Sequence, residues 1–216
     1  MSNIKACIFD LDGVIVDTAA YHFKAWKKLA NQLGFDFTGE DNEKLKGISR
    51  TQSLELILSW GGIVKTEEQK LELATLKNSW YVQMIDKMQP DEILPGALDF
   101  LHSVRNAGYK TALGSASKNS IKILEKVNLI QLFDAIVDGN VVTASKPNPE
   151  VFLKGAEILG TDPAACVVFE DAIAGVEVAL AGGMKVIGIG SAGTLVGANL
   201  VVSGLHEMNL EILEKL

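Results

Sequence analysis

Two cysteines, no long uninterrupted apolar run, no excess of basic charge and no low-complexity tract or internal repeat set the first limits on this 216-residue chain. Cys7 and Cys166 each sit inside a short apolar run, so no disulfide framework can be built, and both read as small buried hydrophobes of a reduced, cytoplasmic protein. The N-terminal stretch Met1 to Phe9 lacks the apolar h-region of a secretory signal. The most apolar segment, residues 164–190, is broken by Glu170, Asp171, Glu177 and Lys185, so it falls short of the roughly 20 apolar residues that a bilayer span needs. With 27 acidic against 20 basic side chains the net charge is −7, which argues against a nucleic-acid partner or a polybasic membrane surface. Disorder is excluded by a hydrophobic content of 48%, which leaves a soluble, cored protein suited to small-molecule chemistry.

What is present is an alternation of two patterns. Short β-branched runs at residues 5–9, 109–113, 135–137, 166–169, 186–189 and 200–202 read as strands. Stretches with apolar residues every three to four positions, at 97–107, 118–128, 149–159, 172–181 and 206–215, read as helices, with Gly108, Gly160 and Gly182 at their ends. The strand runs are apolar throughout rather than alternating, as expected of parallel strands covered on both faces. The pattern predicts an α/β fold, a doubly wound parallel sheet with a Rossmann-like core. From Thr18 to about Met88 no strand interrupts the helical periodicity, so a small α-helical cap is expected after the first strand. Phe23, Trp26, Ala30 and Leu33 form one stripe; Leu54, Ile57 and Leu58 a second; Leu71, Ala74, Tyr81, Ile85 and Met88 a third, which opens with the capping box Thr66 to Gln69. The three tryptophans, Trp26, Trp60 and Trp80, are expected to give the insert its own core. Domain boundaries follow: residues 1–16 and 94–216 as a catalytic core, residues 17–93 as its cap.

Open parallel sheets bind ligands outside the carboxyl ends of their strands. There the first strand runs into Asp10-Leu11-Asp12-Gly13, the second into Gly114-Ser115, the third into Asp138 and the fourth into Glu170-Asp171. Up to five carboxylates on one edge repel and resist desolvation unless a cation compensates. All-oxygen ligands select a hard ion and suit Mg²⁺ better than Zn²⁺. Lys146 after the third strand and Ser115 after the second complete the chemical groups for phosphoryl transfer: carboxylate, hydroxyl, ammonium and divalent ion. Gly188 to Gly193 matches G-x-G-x-x-G, but no clear helix opens at its end and the acidic residue of a dinucleotide site has no strand to sit on. His102 and His206 fall in peripheral helices, whereas His22 lies one turn after Thr18, near the first carboxylates.

The segments Phe9-Asp10-Leu11-Asp12-Gly13-Val14, Gly114-Ser115-Ala116-Ser117, Ser145-Lys146-Pro147 and Phe169-Glu170-Asp171 resemble, in order, the four motifs of the haloacid-dehalogenase-like phosphotransferases. Thr18 to Trp26, Leu45 to Arg50, Lys77-Asn78 and Ser115 to Asn119 are further similar to the branch that moves phosphate between C1 and C6 of glucose. The resemblance implies Asp10 as nucleophile and Asp12 as general acid and base. It implies Mg²⁺ held by Asp10, Asp12 through its backbone carbonyl, and Asp171, with Glu170 in support. Ser115 and Lys146 would hold the transferring phosphoryl group. Arg50, Ser117, Lys118 and Asn119 would grip the distal phosphate, Lys46, Gly47 and Lys77 would contact the substrate, and Thr18 and His22 would position Asp12. Partners would be a hexose phosphate and glucose 1,6-bisphosphate, with no nucleic acid, no membrane and a monomeric state. A sugar-phosphate phosphatase of the same superfamily is an alternative, and a non-enzymatic receiver-like module with a phospho-acceptor Asp a more distant one.

Overall fold

A computed structural model describes residues 3–143 and 148–216. The six apolar runs form six strands, β1 (Ala6–Phe9), β2 (Lys110–Gly114), β3 (Ala135–Val137), β4 (Cys166–Glu170), β5 (Lys185–Ile189) and β6 (Leu200–Val202), in one parallel sheet of order β3-β2-β1-β4-β5-β6. Side chains of neighbouring residues alternate between two apolar clusters, one on each face. Cys7, Phe9, Leu113, Val167 and Phe169 pack on one face, and Ala6, Ile8, Ala112, Cys166 and Val168 on the other. Phe9 and Phe169 stack at 4.6 Å between centroids across β1 and β4, which contributes about 0.5–1.5 kcal/mol beyond the burial of the rings. The two cysteines therefore lie on opposite faces, free and buried. Burial raises both thiols, Cys166 to about 11, so neither is a reactive thiolate.

Helices cover both faces: α5 (Ala97–Asn106), α6 (Ser120–Lys126), α7 (Glu150–Ile158), α8 (Ile173–Ala181) and α9 (Leu210–Glu214). The predicted helix from residue 206 is instead a 3-10 turn at Leu205–Glu207 followed by α9, because Asn209 caps a new start through Ile212. At the end of α8 the left-handed residue is Gly183, at φ 76°, and not Gly182, which stays in the right-handed region.

Between β1 and α5 lie α1 (Ala19–Gln32), α2 (Gly39–Glu43), α3 (Arg50–Trp60) and α4 (Glu67–Ile85), which form the cap. Capping boxes start three of them, at Thr38/Asp41, Ser49/Gln52 and Thr66/Gln69. Trp26, Leu29, Phe37, Leu54 and Ile57 build an apolar cluster of the cap's own, while Tyr81 and Ile85 near the end of α4 join the cluster under the sheet. Two expectations fail here. Leu71 is 70% exposed and Trp60 40%: Leu71 lies at the cavity between cap and sheet, and Trp60 packs one side on Phe37. The chain enters and leaves the cap side by side, since Val16 bridges both Asp12 and Ile93 and Leu94 donates its N–H to the Ile15 carbonyl.

Candidate active site

The parallel ladder decides which carboxylates meet. Just beyond β1, the Asp10 N–H donates to the Phe169 carbonyl at 2.9 Å, which ties the end of β1 to the end of β4. Asp10, Glu170 and Asp171 thereby present carboxylate oxygens within 4.8 Å of one another, with Asp10 5% exposed and Glu170 fully buried. Glu170 Oε1 accepts the Ala172 N–H at 3.0 Å, which orients it. Two glycines make the room: a Cβ on Gly175 would lie 2.0 Å from the Glu170 carboxyl carbon, and one on Gly13, at φ 78°, would lie 2.2 Å from Asp171 Oδ2. Three close carboxylates with all-oxygen donors fit a hard cation, because burial of like charges costs several kcal/mol per ion without one. Asp138, expected in this group, is not part of it. Its carboxylate is buried and turned to Asn140, accepting the backbone N–H at 2.9 Å and the side-chain amide at 3.0 Å.

Ser115, at the end of β2, is buried and accepts the Ser117 N–H on its hydroxyl oxygen at 3.2 Å, so its own proton can be donated elsewhere. Lys146 lies outside the described residues. A cavity of about 1310 Å³ separates sheet edge and cap. Asp10, Asp12, Ser115, Ser117, Lys118, Asn119 and Asp171 line it from the sheet, and His22, Lys46, Gly47, Arg50 and Lys77 from the cap. Thr18 is not a lining residue but reaches the site through a short hydrogen bond from Oγ1 to Asp12 Oδ1. His206, expected in a peripheral helix, also borders the cavity.

The cap's polar groups are buried in an aromatic setting. Lys77 is 1% exposed, its Nζ 2.9 Å from His22 Nδ1 and 4.3 and 4.8 Å from the ring centres of Trp26 and Tyr81. Burial, then the nearby Arg50, pushes Lys77 well below the usual lysine range, although Asp12 opposes this. His22 is held well below its ordinary value by burial and by Lys77 and Arg50. Arg50 is partly buried, which lowers its pKa, and no carboxylate pairs with it among the described residues. Besides that of Thr18 with Asp12, contacts that cross from cap to sheet at the cavity include those of Lys46 Nζ, 3.8 Å from Asp171 and 2.9 Å from Glu43, and of Asn119 Nδ2, which donates to Asn78 Oδ1 at 3.0 Å. Tyr81 escaped the sequence reading as anything but core, yet its hydroxyl donates to Thr18 Oγ1 at 3.0 Å. Its spacing of four from Lys77 on one helix face was the available signal.

The end of β1, with Asp10, thus lies beside the acidic end of β4 and under a helical cap. The model of the haloacid dehalogenase-like hydrolases matches residues 4–183. The chain belongs to this family. Within the haloacid dehalogenase-like hydrolases it is 44% identical over 214 residues to a β-phosphoglucomutase of Bacillus subtilis, covering 98% of this chain and 95% of that one. The crystal structure of a β-phosphoglucomutase from Clostridium difficile superposes with a TM-score of 0.95 at 42% identity, over 98% of this chain and 96% of that one. A phosphorylated carbohydrates phosphatase of Thermotoga maritima is 30% identical, with 84% of this chain and 83% of the relative covered. The family fold thus agrees with the predicted sheet and cap. No helix among the described residues is long and apolar enough to cross a membrane.

Proposed function

We propose that the protein is a β-phosphoglucomutase, an isomerase that interconverts β-D-glucose 1-phosphate and β-D-glucose 6-phosphate. The observation that carries this reading is the second cationic pole of the cavity. Arg50, partly buried and without a carboxylate partner among the described residues, shares one cavity with the acidic triad, Ser115 and Ser117 to Asn119. A guanidinium in that state is matched by an anion, and its planar fork fits phosphate. A hexose that carries phosphate at one end and reacts at the other therefore spans the cavity. A phosphatase acting on a single phosphate has no need of the second pole.

Residues 1–16 and 94–216 act as the catalytic domain and residues 17–93 as its cover. Phospho-Asp10 gives its phosphoryl group to the C6 hydroxyl of β-glucose 1-phosphate while Asp12 takes the hydroxyl proton. The resulting β-glucose 1,6-bisphosphate turns round, with Arg50, Ser117, Lys118 and Asn119 regripping whichever phosphate is distal. Asp10 then takes the C1 phosphoryl group, and Asp12 returns the proton to the C1 oxygen. Ser115 and Lys146 orient the transferring group, Lys46, Gly47 and Lys77 hold the sugar phosphate, and Thr18 and His22 steady Asp12. Mg²⁺ is the cofactor of choice for Asp10, Glu170, Asp171 and the Asp12 carbonyl, and when bound it offsets the charge of carboxylates and phosphoryl oxygens. The cap keeps water from phospho-Asp10.

The phosphatase relative makes water the competing acceptor. Supplying β-glucose 1-phosphate, Mg²⁺ and a trace of glucose 1,6-bisphosphate should yield glucose 6-phosphate with little free phosphate. Stoichiometric phosphate release without glucose 6-phosphate would overturn the mutase reading in favour of the phosphatase.

A further inference from the structure

Tyr81 has no part in the roles assigned above, yet it stands where the cap meets the acid–base residue. Its side chain is fully buried on α4, and its hydroxyl donates to Thr18 Oγ1 at 3.0 Å, while Thr18 Oγ1 donates to Asp12 Oδ1. A threonine hydroxyl has one proton and two lone pairs. The phenol proton occupies one lone pair, which directs the single threonine proton away from Tyr81 and onto the carboxylate. Left without that donor, a threonine hydroxyl beside a helix start turns readily to other backbone or side-chain acceptors. The phenol itself is fixed: the His22 ring lies against it, tilted by 37°, at 4.2 Å between centroids, and Lys77 Nζ lies 4.8 Å from its ring centre. Burial and the nearby Asp12 hold the Tyr81 hydroxyl well above the usual phenol range, opposed by Thr18 and Arg50, so it stays a donor.

We infer that Tyr81 is a positioning residue for the acid–base step, its hydroxyl directing the Thr18 proton onto Asp12 and so holding the carboxylate in the orientation from which it exchanges a proton with the sugar oxygen. The inference rests on the mutase reading for its substrate but not for its logic. When Asp10 takes phosphate from a sugar, the Asp10–phosphorus bond forms, the bond from phosphorus to the sugar oxygen breaks, and that oxygen takes the proton of Asp12. When acetyl phosphate is the donor, the departing acetate is stable as an anion and needs no proton.

Tyr81→Phe keeps the ring and removes the donor, so the two phosphoryl donors separate a positioning role from a structural one. Phosphorylation of the Mg²⁺-loaded protein by glucose 1,6-bisphosphate should slow about tenfold in the variant, while phosphorylation by acetyl phosphate stays within about twofold of the unmodified protein. In a Thr18→Val background, Tyr81→Phe should add nothing, because its effect runs through that hydroxyl. Equal slowing with both donors, no slowing with either, or full additivity with Thr18→Val would overturn the inference. If the unmodified protein takes phosphate from another alkyl phosphate and not from glucose 1,6-bisphosphate, the mutase reading fails. The same leaving-group contrast on that substrate still decides the role of Tyr81.

Discussion

At the sheet edge, buried Asp10 and Glu170 and half-buried Asp171 lie beside one another as groups of like charge, whereas in the cap Lys77 is buried among Trp26, Tyr81 and His22, and Arg50 faces the same cavity without an ion-pair partner among the described residues. The acidic pole and the cationic pole face each other across one cavity, and among the described residues the ion pair that joins them there is the long one from Lys46 to Asp171. Charge count follows the same division: residues 18–93 carry 10 basic and 11 acidic side chains, so most of the net −7 lies with the sheet. In the function proposed above, a metal ion would sit against the acidic pole and a sugar phosphate against Arg50, so that each pole would meet a group of opposite charge.

Substitutions at the two poles test that division, and the largest effect belongs to the sheet. Asp10→Asn should lower turnover by about 10⁴-fold or more and leave no phosphoprotein in intact-mass spectra, since it removes the attacking oxygen and one charge of the triad. A phosphoprotein that survives the change would move the chemistry away from the sheet edge. On the cap side, Arg50→Lys should cost about 10- to 100-fold in kcat/KM for the hexose phosphate, because a point charge replaces a bidentate fork. An unchanged kcat/KM would show that the cap pole does not touch phosphate.

The smallest effect has the opposite sign. Lys77→Met should stabilise the fold at neutral pH by about 1 kcal/mol while reducing activity, as hydrophobic replacement of a buried ionisable group often does. That gain corresponds to a rise in Tm of roughly 2–4 °C for a chain of this size. In the folded chain Lys77 is pushed below its ordinary value of 10.5, so the unfolded chain binds more protons in the window beneath 10.5. Stability of the unmodified protein therefore climbs as pH rises towards 10.5, and the advantage of Lys77→Met should shrink over the same window in thermal melts. A constant advantage would mean that Lys77 is not the source.

The same contrast explains what could be read in advance. All six strands were legible because fully covered parallel strands are written as continuous β-branched runs, and their ends named Asp10, Ser115, Glu170 and Asp171 directly. Asp138 was misplaced because a strand end tells where a residue sits and not which partner its carboxylate selects, here Asn140. In the cap, α2 was missed: Gly39–Glu43 has no apolar period, and its start is signalled only by the Thr38/Asp41 capping box. Leu71 was placed inward because it continues the apolar period of Ala74, Tyr81, Ile85 and Met88, at a level of α4 where the packing of the cap has already given way to the cavity. Hydropathy also hides function in this helix, since it counts Tyr81 as core and Lys77 as surface while both are buried polar donors.

The pairing of the two chain crossings at Val16 and Ile93 has a consequence for timing. Asp12 and Val16 bridge each other, and on the far side of that seam lie Thr18, which donates to Asp12, and Tyr81, which donates to Thr18 from deep in the cap. A cap that swung about two adjacent crossings would turn about nearly one axis and would carry Thr18 away from Asp12 as the cleft opened. With the roles proposed above, the seam would then work as an interlock, in which water entering an open cleft would find the acid–base residue out of alignment.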